Sequence, residues 1–531
     1  MTTENKSLSI SPLIIILAVI GMIAQWFISS KWGIGLSPDS SGYLYAARGL
    51  MNGKGLIEIS QWNKVIPLCN FAPMVSTLLG FFGVLGIEPM IGARWLHIVV
   101  FGGNIFLSGF IIFHYTRSNW ASTLTSFFVL TSLVTLEIHA MLWSEPIFIF
   151  FGFAGIYLLA LALEDESKKP VLIPSALVLG LSFLSKYSGA SFILAGVLTA
   201  FFFSKKTYLK RIINCLLIGA VSSLPMTLWS LRNRLSGTWP AGLTFNFEPY
   251  LMGHVRALFA YISIWILPKS ISPVFRGVVL LLLIGFFISA AWVCASWAKR
   301  YSSPNKVSGM FYGGPFPWIL LIVMASHIGV YFAATAFMGE NSFDNRALSP
   351  VFVSCAIFMV GTGCDLWRLS QQFSWRRNLL SVLLIFFVIS YFFRAVQWGV
   401  VANRDGLWYS SREWNTSGII EKIKQYTGGI PIYTNGPDVV YLLTGKPASA
   451  IPAKSNVFKV HVPDPERRLL QNYPLELEKM RKDLRKNQGI VVYLDKIYWR
   501  WYYPTADELM RIVPLGVVER VQGGTIYKME E

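Results

Sequence analysis

The sequence predicts a polytopic α-helical membrane protein of about 11–12 spans, with a C-terminal α/β domain after the last span. Three observations predict it. The 531 residues are 54% hydrophobic and 14% charged, with a mean hydropathy of +0.50, whereas soluble domains run about a quarter charged. Apolar runs of the ~20 residues that cross a bilayer recur from Leu13 to Trp398. From Asn403 onward the hydropathy falls and short, turn-bounded elements replace them. The 19 Trp fit many segment ends lying in an interfacial aromatic belt.

In chain order the expected spans are Leu13–Ile28, Ile91–Tyr115, Trp120–Leu136, Pro146–Leu163, Val171–Leu184, Gly189–Phe203, Ile212–Leu231, Val274–Trp297, Pro317–Phe337, Ala347–Leu366 and Leu379–Trp398. Leu13–Ile28 has no small-residue cleavage site and few preceding basic residues, so it reads as an anchor and not as a signal peptide. Phe71–Leu85 is a twelfth, ambiguous run, re-entrant or interfacial. The membrane part is residues 1–402, with a long first outer loop over 31–89, and the terminal domain is 403–531. In that domain Ser417–Tyr426 and Glu466–Lys486 read as helical, Ile430–Thr434 and Gly489–Leu494 as strands, and Val517–Val521 with Thr525–Lys528 as a closing hairpin.

The formal charge is +18. The tail from Asn403 holds 19 Lys and Arg against 15 Asp and Glu, so the apolar part holds 27 against 13. With the N-terminus inside, the inner loops collect cations such as Arg117, Lys205, Lys206, Lys210, Arg211, Arg368 and Arg377, a positive-inside pattern that puts the terminal domain outside. The outer side also carries Arg48, Lys54, Lys64, Arg94, Arg232, Arg276 and Arg346. That excess asks for an explanation, and a phosphate-bearing ligand is one. The five Cys form no CxxC pair, so neither a disulfide framework nor a zinc site is indicated. No nucleic-acid partner is expected.

Four positions bear chemistry. Asp39 follows the first span and opens the amphipathic run Tyr43–Leu50; the plainer reading is that Asp39 or Ser40 caps a helix. Glu145, in Ser144-Glu145-Pro146, starts a span, where the macrodipole alone favours a carboxylate. Lys186 lies in a short outer turn, where snorkelling to the headgroups would account for it. Arg346 stands at a helix start, which the dipole disfavours, so it reads as an anion ligand unless Asp344 simply pairs with it. These charges sit at span ends and not at the midplane, where a transporter places its ionisable groups.

The Asp39 segment, Ser144-Glu145-Pro146, the run from Gly180 to Lys186 and Arg346-Ala347-Leu348-Ser349-Pro350 occur in the order found in multispan glycosyltransferases of the GT-C fold. The chain resembles the family 39 type, the protein mannosyltransferases and aminoarabinose transferases. The resemblance implies a polyprenyl-phosphate sugar as donor and, as acceptor, a protein, lipid or glycan at the extracytoplasmic face of a bacterial inner membrane. It implies Asp39 as the acid at the reacting centre, with Glu145 orienting the acceptor or the neighbours of Asp39. Lys64, Lys186 and Arg346, then Lys54 and Arg94, are the candidates for the lipid phosphate, and Tyr43 for another substrate contact. No cofactor is expected: many members follow the Asp with a second acid, and Ser40 stands there instead, which weakens the case for a divalent metal. Ala347 likewise replaces the usual aromatic of the arginine motif. Competing readings are a lipid-linked glycan ligase or polymerase, a lipid flippase or transporter, and a glycan-binding scaffold.

Overall fold

A computed structural model describes residues 11–59, 65–164, 170–238, 251–300, 310–338, 343–370, 374–426, 429–455 and 469–530. The membrane part begins with α1 (Pro12–Ile28), α2 (Pro38–Met51), a two-stranded hairpin β1 (Ile57–Ile59) and β2 (Val65–Pro67), and α3 (Pro73–Val84). There follow α4 (Pro89–Thr116), α5 (Asn119–Thr131), α6 (Leu133–Ala140), α7 (Glu145–Glu164), α8 (Leu172–Ser185), α9 (Ala190–Phe203) and α10 (Tyr208–Leu235). The last group is α11 (Leu251–Ile266), α12 (Pro273–Arg300), α13 (Phe316–Met338), α14 (Ser349–Leu369) and α15 (Ser374–Asp405). Among the described residues, seven helices are long and apolar enough to cross a membrane, namely α4, α7, α10, α12, α13, α14 and α15. Shorter apolar helices accompany them, among them α1, α8 and α9.

Three differences from the sequence expectations have local causes. The span expected over Trp120–Leu136 is broken into α5 and α6, bent by 56°. Ser132 adopts an extended backbone there, and its hydroxyl accepts from Val134 N at 3.2 Å, capping α6. A hydropathy window cannot see one residue leaving helical geometry inside an apolar run. The ambiguous run at 71–85 is α3, whose 12 residues rise only ~18 Å; it packs on α2, α4 and α8. Helix α11 was not among the expected spans, because Arg256 and His254 interrupt its apolar face.

Helices α4, α7, α9, α13 and α14 share one apolar core, with Phe148, Phe153, Phe192, Phe316 and Ile357 fully or nearly buried. Helices α10, α12 and α15 instead turn large apolar side chains outward, among them Leu216, Leu282 and Phe393, as lipid-facing surfaces do. Close helix contacts use glycine. A Cβ on Gly180 of α8 would come within 2.9 Å of the Ser222 carbonyl of α10.

The terminal domain adds α16 (Arg412–Asn415), α17 (Gly418–Gln425), β3 (Ile432–Thr434), α18 (Pro437–Thr444), β4 (Ser449–Ala450), α19 (Tyr473–Lys486), β5 (Ile490–Leu494), α20 (Ala506–Ile512), β6 (Leu515–Val521) and β7 (Gly524–Met529). Its five strands lie in the order β4-β3-β5-β7-β6. β3 is parallel to both β4 and β5, while β7 runs antiparallel to β5 and β6. The closing hairpin expected from Gly523-Gly524 is thus the far edge of a mixed sheet. Of the charged stretch expected from Glu466, residues 466–468 lie outside the described residues.

Gly180→Ala should force α8 and α10 apart. Overpacking of this kind costs about 1–3 kcal/mol, so thermal unfolding in detergent is expected several degrees below that of the parent chain.

Candidate functional site

Two backbone devices build the site at one end of the helix bundle. The first places Asp39. Ser37 is the N-cap of α2, Pro38 takes its first turn, and Ser37 with Ser40 forms a reciprocal capping box in which Ser37 N donates to Ser40 Oγ at 3.0 Å. Both orphan donors are satisfied this way, so neither capping job falls to Asp39, and its carboxylate is left for other contacts. Ser40 Oγ also donates to Leu142 O at 3.0 Å. The second device places Glu145. Residues 34–36 run beside the chain that leaves α6: Gly35 N donates to Ala140 O and Leu142 N to Gly35 O, each at 2.8 Å. A side chain at Gly35 would strike Met141 Sδ at 2.2 Å.

Glu145 is the first residue of α7 and is 1% exposed. Its Oε1 accepts from both Lys186 Nζ and Arg346 Nε. Arg346 Nη2 reaches Asp39 Oδ2 at 2.6 Å. The guanidinium therefore bridges two carboxylates, and it lies 4.6 Å over the ring of Trp143. Trp143 is fixed in turn, donating from Nε1 to Ser37 Oγ at 2.8 Å. Burial works against charge on Arg346, but Glu145 and Asp39 outweigh it and hold the guanidinium well above its usual range. Glu145 Oε2 is buried with no hydrogen-bond partner among the described residues.

Each cation comes from a specific turn. Lys186 ends α8 with an extended backbone and is followed by a single 3-10 turn, Tyr187–Gly189. Its ammonium turns in to Glu145 and does not snorkel outward. Arg346 lies in the turn before α14. Asp344 does not pair off as the neighbouring acid; it accepts from Ala347 N at 2.6 Å. His327 of α13 holds the same turn: Nε2 donates to Ala347 O at 2.8 Å while Nδ1 accepts from Ser191 Oγ at 2.9 Å.

Tyr43 stands one helical turn after Asp39. It is 3% exposed, with its ring 4.9 Å from that of Phe71. Burial and the nearby carboxylates push its phenol well above the usual range. The first loop folds over this end. Glu58 is buried and its Oε1 accepts from Cys69 N at 3.1 Å and Asn70 Nδ2 at 2.9 Å. Burial and the Glu58 carboxylate push the Cys69 thiol up to about 12. Tyr187 Oη donates to Cys69 O at 2.7 Å, and Arg232 donates to Leu56 O and Leu68 O, both at 3.3 Å. The loop is thereby latched beside Lys186.

The structure thus brings together Asp39, Tyr43, Glu145, Lys186 and Arg346. It does not bring Arg94 or Lys54 to them. Arg94 donates to Ser29 Oγ at 2.9 Å and Trp26 O at 3.2 Å, closing the end of α1. Lys54 is exposed in a turn flanked by Gly53 and Gly55, both at positive φ. Lys64 lies outside the described residues. Sequence reasoning missed Trp143, although it directly precedes Ser144-Glu145, and His327, an ionisable residue inside an apolar span. Among the described residues, no group of three or more His, Cys, Asp and Glu could hold a metal ion.

No family model matches the chain, and no curated protein matches it in sequence. Solved structures do. The Archaeoglobus fulgidus oligosaccharyltransferase, in complex with Zn and sulfate, has a TM-score of 0.53 at 10% identity over 97% of this chain and 73% of that one. The same enzyme tethered to an acceptor peptide has a TM-score of 0.50 at 11% identity over 91% of this chain and 69% of that one. ArnT from Cupriavidus metallidurans in the apo state has a TM-score of 0.48 at 14% identity, over 96% and 97% of the two chains. At such identity a likeness speaks for the fold alone, and the conclusion it carries is that this chain is a polytopic membrane protein of the GT-C fold.

Proposed function

We propose that this chain is an integral-membrane glycosyltransferase. It takes a sugar from a polyprenyl-phosphate donor and passes it to a protein, lipid or glycan acceptor on the extracytoplasmic face. The observation that carries this reading is the cluster at the end of the bundle: an acid, Asp39, reached by a guanidinium that a second, fully buried acid holds in place beside a lysine. The fold is similar to that of an oligosaccharyltransferase, and apolar helices around the cluster offer lodging for a lipid chain. The boundary at residues 402–403, the outward position of the terminal domain and a bacterial inner membrane belong to the same reading.

A sugar on a lipid phosphate already has a good leaving group, so the protein has two tasks. Asp39 takes the proton of the acceptor hydroxyl or amine as its heteroatom bonds to the anomeric carbon. The bond from that carbon to the phosphate oxygen breaks with its electron pair going to the phosphate, and Arg346 and Lys186 stabilise the charge that develops there. The centre passes through an oxocarbenium-like state, as in glycoside hydrolysis. One displacement inverts configuration. Arg346 can grip phosphate with two parallel donors, whereas Lys186 acts as a point charge. Glu145 is the counter-ion that fixes both cations, and the donor phosphate competes with Asp39 for Arg346, leaving the acid to the acceptor. Tyr43 lines the same end.

Asp39→Asn should retain less than about a tenth of the transfer rate, since a positioned general base contributes roughly 10²–10⁴-fold; purified protein with radiolabelled polyprenyl-phosphate sugars reads this, and a rate above that level removes Asp39 as the base. Arg346→Lys should raise the KM for the donor because a point charge cannot bridge. Glu145→Ala takes the shared anion from two partly buried cations, leaving Arg346 only Asp39, a loss of about 1–3 kcal/mol, and Lys186→Ala in the same chain should return part of it, as measured by thermal unfolding.

A further inference from the structure

The terminal domain has no part in the chemistry above, yet the helix that carries Asp39 is held against it at both ends. At the N-terminal end, Leu36 pairs with Trp408 just beyond α15, while its neighbour Gly35 pairs with Met141. Tyr409 N donates to Leu36 O at 3.0 Å and Ser410 Oγ to Ile34 O at 2.7 Å. At the other end, Arg48 lies 5.3 Å over the ring of Tyr441 on α18, and Tyr45 meets that ring edge-on at 5.5 Å. Tyr45 and Arg48 are three residues apart and share one face of α2.

Both sides of this contact are anchored. Arg48 Nη2 also donates to Glu88 Oε1 at 3.0 Å, and Glu88 caps α4 by accepting from Met90 N at 2.6 Å. On the domain side, Arg500 donates to Asp438 Oδ2 at 2.7 Å and to Asn435 O at 3.0 Å, with both side chains of the ion pair under a tenth exposed. That pair pins the first turn of α18, whose Val439 and Val440 are fully buried. Leu44 and Ala47 of α2 share a buried cluster with Val440 and Leu442 of α18, and a cavity of about 390 Å³ lies between Tyr45, Ile59 and Val65 on one side and Tyr426 and Ile430 on the other. The Tyr441 ring is the domain's contact with the half-buried Tyr45–Arg48 face of α2.

We infer that Tyr441 and Arg48 form a positioning contact through which the terminal domain sets the placement of α2, and with it the Asp39 carboxylate. The role assigned to Asp39 rests on the function proposed above; the contact itself does not. The lever is short. Asp39 precedes Arg48 by nine residues, roughly 14 Å along the helix axis, so a tilt of about 5° at Arg48 moves Asp39 by roughly 1 Å, a misplacement that can cost about 10²-fold in rate. Tyr441 is thus a positioning residue that touches no substrate.

The experiment compares full-length Tyr441→Ala and Tyr441→Phe in detergent, with Tyr441→Leu in place of the alanine variant should that fail to fold. Amide hydrogen exchange over 41–50 is expected to rise about tenfold in Tyr441→Ala, as local openings become easier, and to stay at the parent level in Tyr441→Phe, which keeps the ring. Turnover is expected to drop about 10-fold or more in kcat with the donor KM unchanged, the signature of an interaction that matters only at the reacting centre. Unchanged exchange in both Tyr441→Ala and Tyr441→Leu overturns the inference, as does an equal rise in Tyr441→Phe, or a change confined to KM. A parent chain that transfers no sugar while exchange responds as expected sinks the proposed function and supports the contact.

Discussion

One fully buried carboxylate organises this end of the molecule. A charge without a partner in a low-dielectric interior costs several kcal/mol, so Glu145 can ionise at the start of α7 only if cations are brought to it. Lys186 and Arg346 come from positions 41 and 201 residues distant in sequence. Meeting at one oxygen, they force the turn after α8 and the turn before α14 to converge on the N-terminus of α7. Arg346 has donors to spare, and its far side reaches Asp39. The requirement to neutralise Glu145 thus sets where Asp39 finds its partner.

Two of the outer cations that an anionic ligand was invoked to explain are occupied by backbone carbonyls. Arg94 closes α1 and Arg232 holds two carbonyls of the first loop. Helix ends leave four carbonyls unpaired, and at a membrane surface water is a scarcer partner for them. A guanidinium can meet two at once. Pairing with a buried acid sets Arg346 and Lys186 apart from these cations.

What the sequence made legible follows the range of the forces involved. Hydropathy is a local sum, so most apolar runs and the α/β character of the tail could be read directly. Capping is local too: Ser37-Pro38-Asp39-Ser40 announced a helix start, although which residue capped it needed coordinates. The break at Ser132 was not legible, because one extended residue does not change a window average. Glu145 looked like an ordinary helix start favoured by the dipole, and Lys186 like a snorkelling lysine. Their pairing is a long-range consequence of burial that no spacing records. Trp143 and His327 act on Arg346 only through the fold.

The bend between α5 and α6 bears on the choice between an enzyme and a transporter, since transporters build ion sites on broken helices whose freed carbonyls face the pathway. Here the freed groups are taken up internally. Ser132 caps α6 with its own hydroxyl, and Thr135 Oγ1 lies 3.0 Å from Ser132 O. His139 Nδ1 donates to Thr135 O at 2.7 Å, which leaves Nε2 to accept from Asn104 Nδ2 at 3.0 Å, and Asn104 also donates to Pro146 O. The break offers few open carbonyls for a cation. What it does is redirect the chain: α6 leaves the line of α5, ends at Ala140, and delivers residues 140–142 to pair with Gly35. The bend brings Glu145 to the guanidinium that Asp39 also meets, which is the use the proposed transferase would have for it.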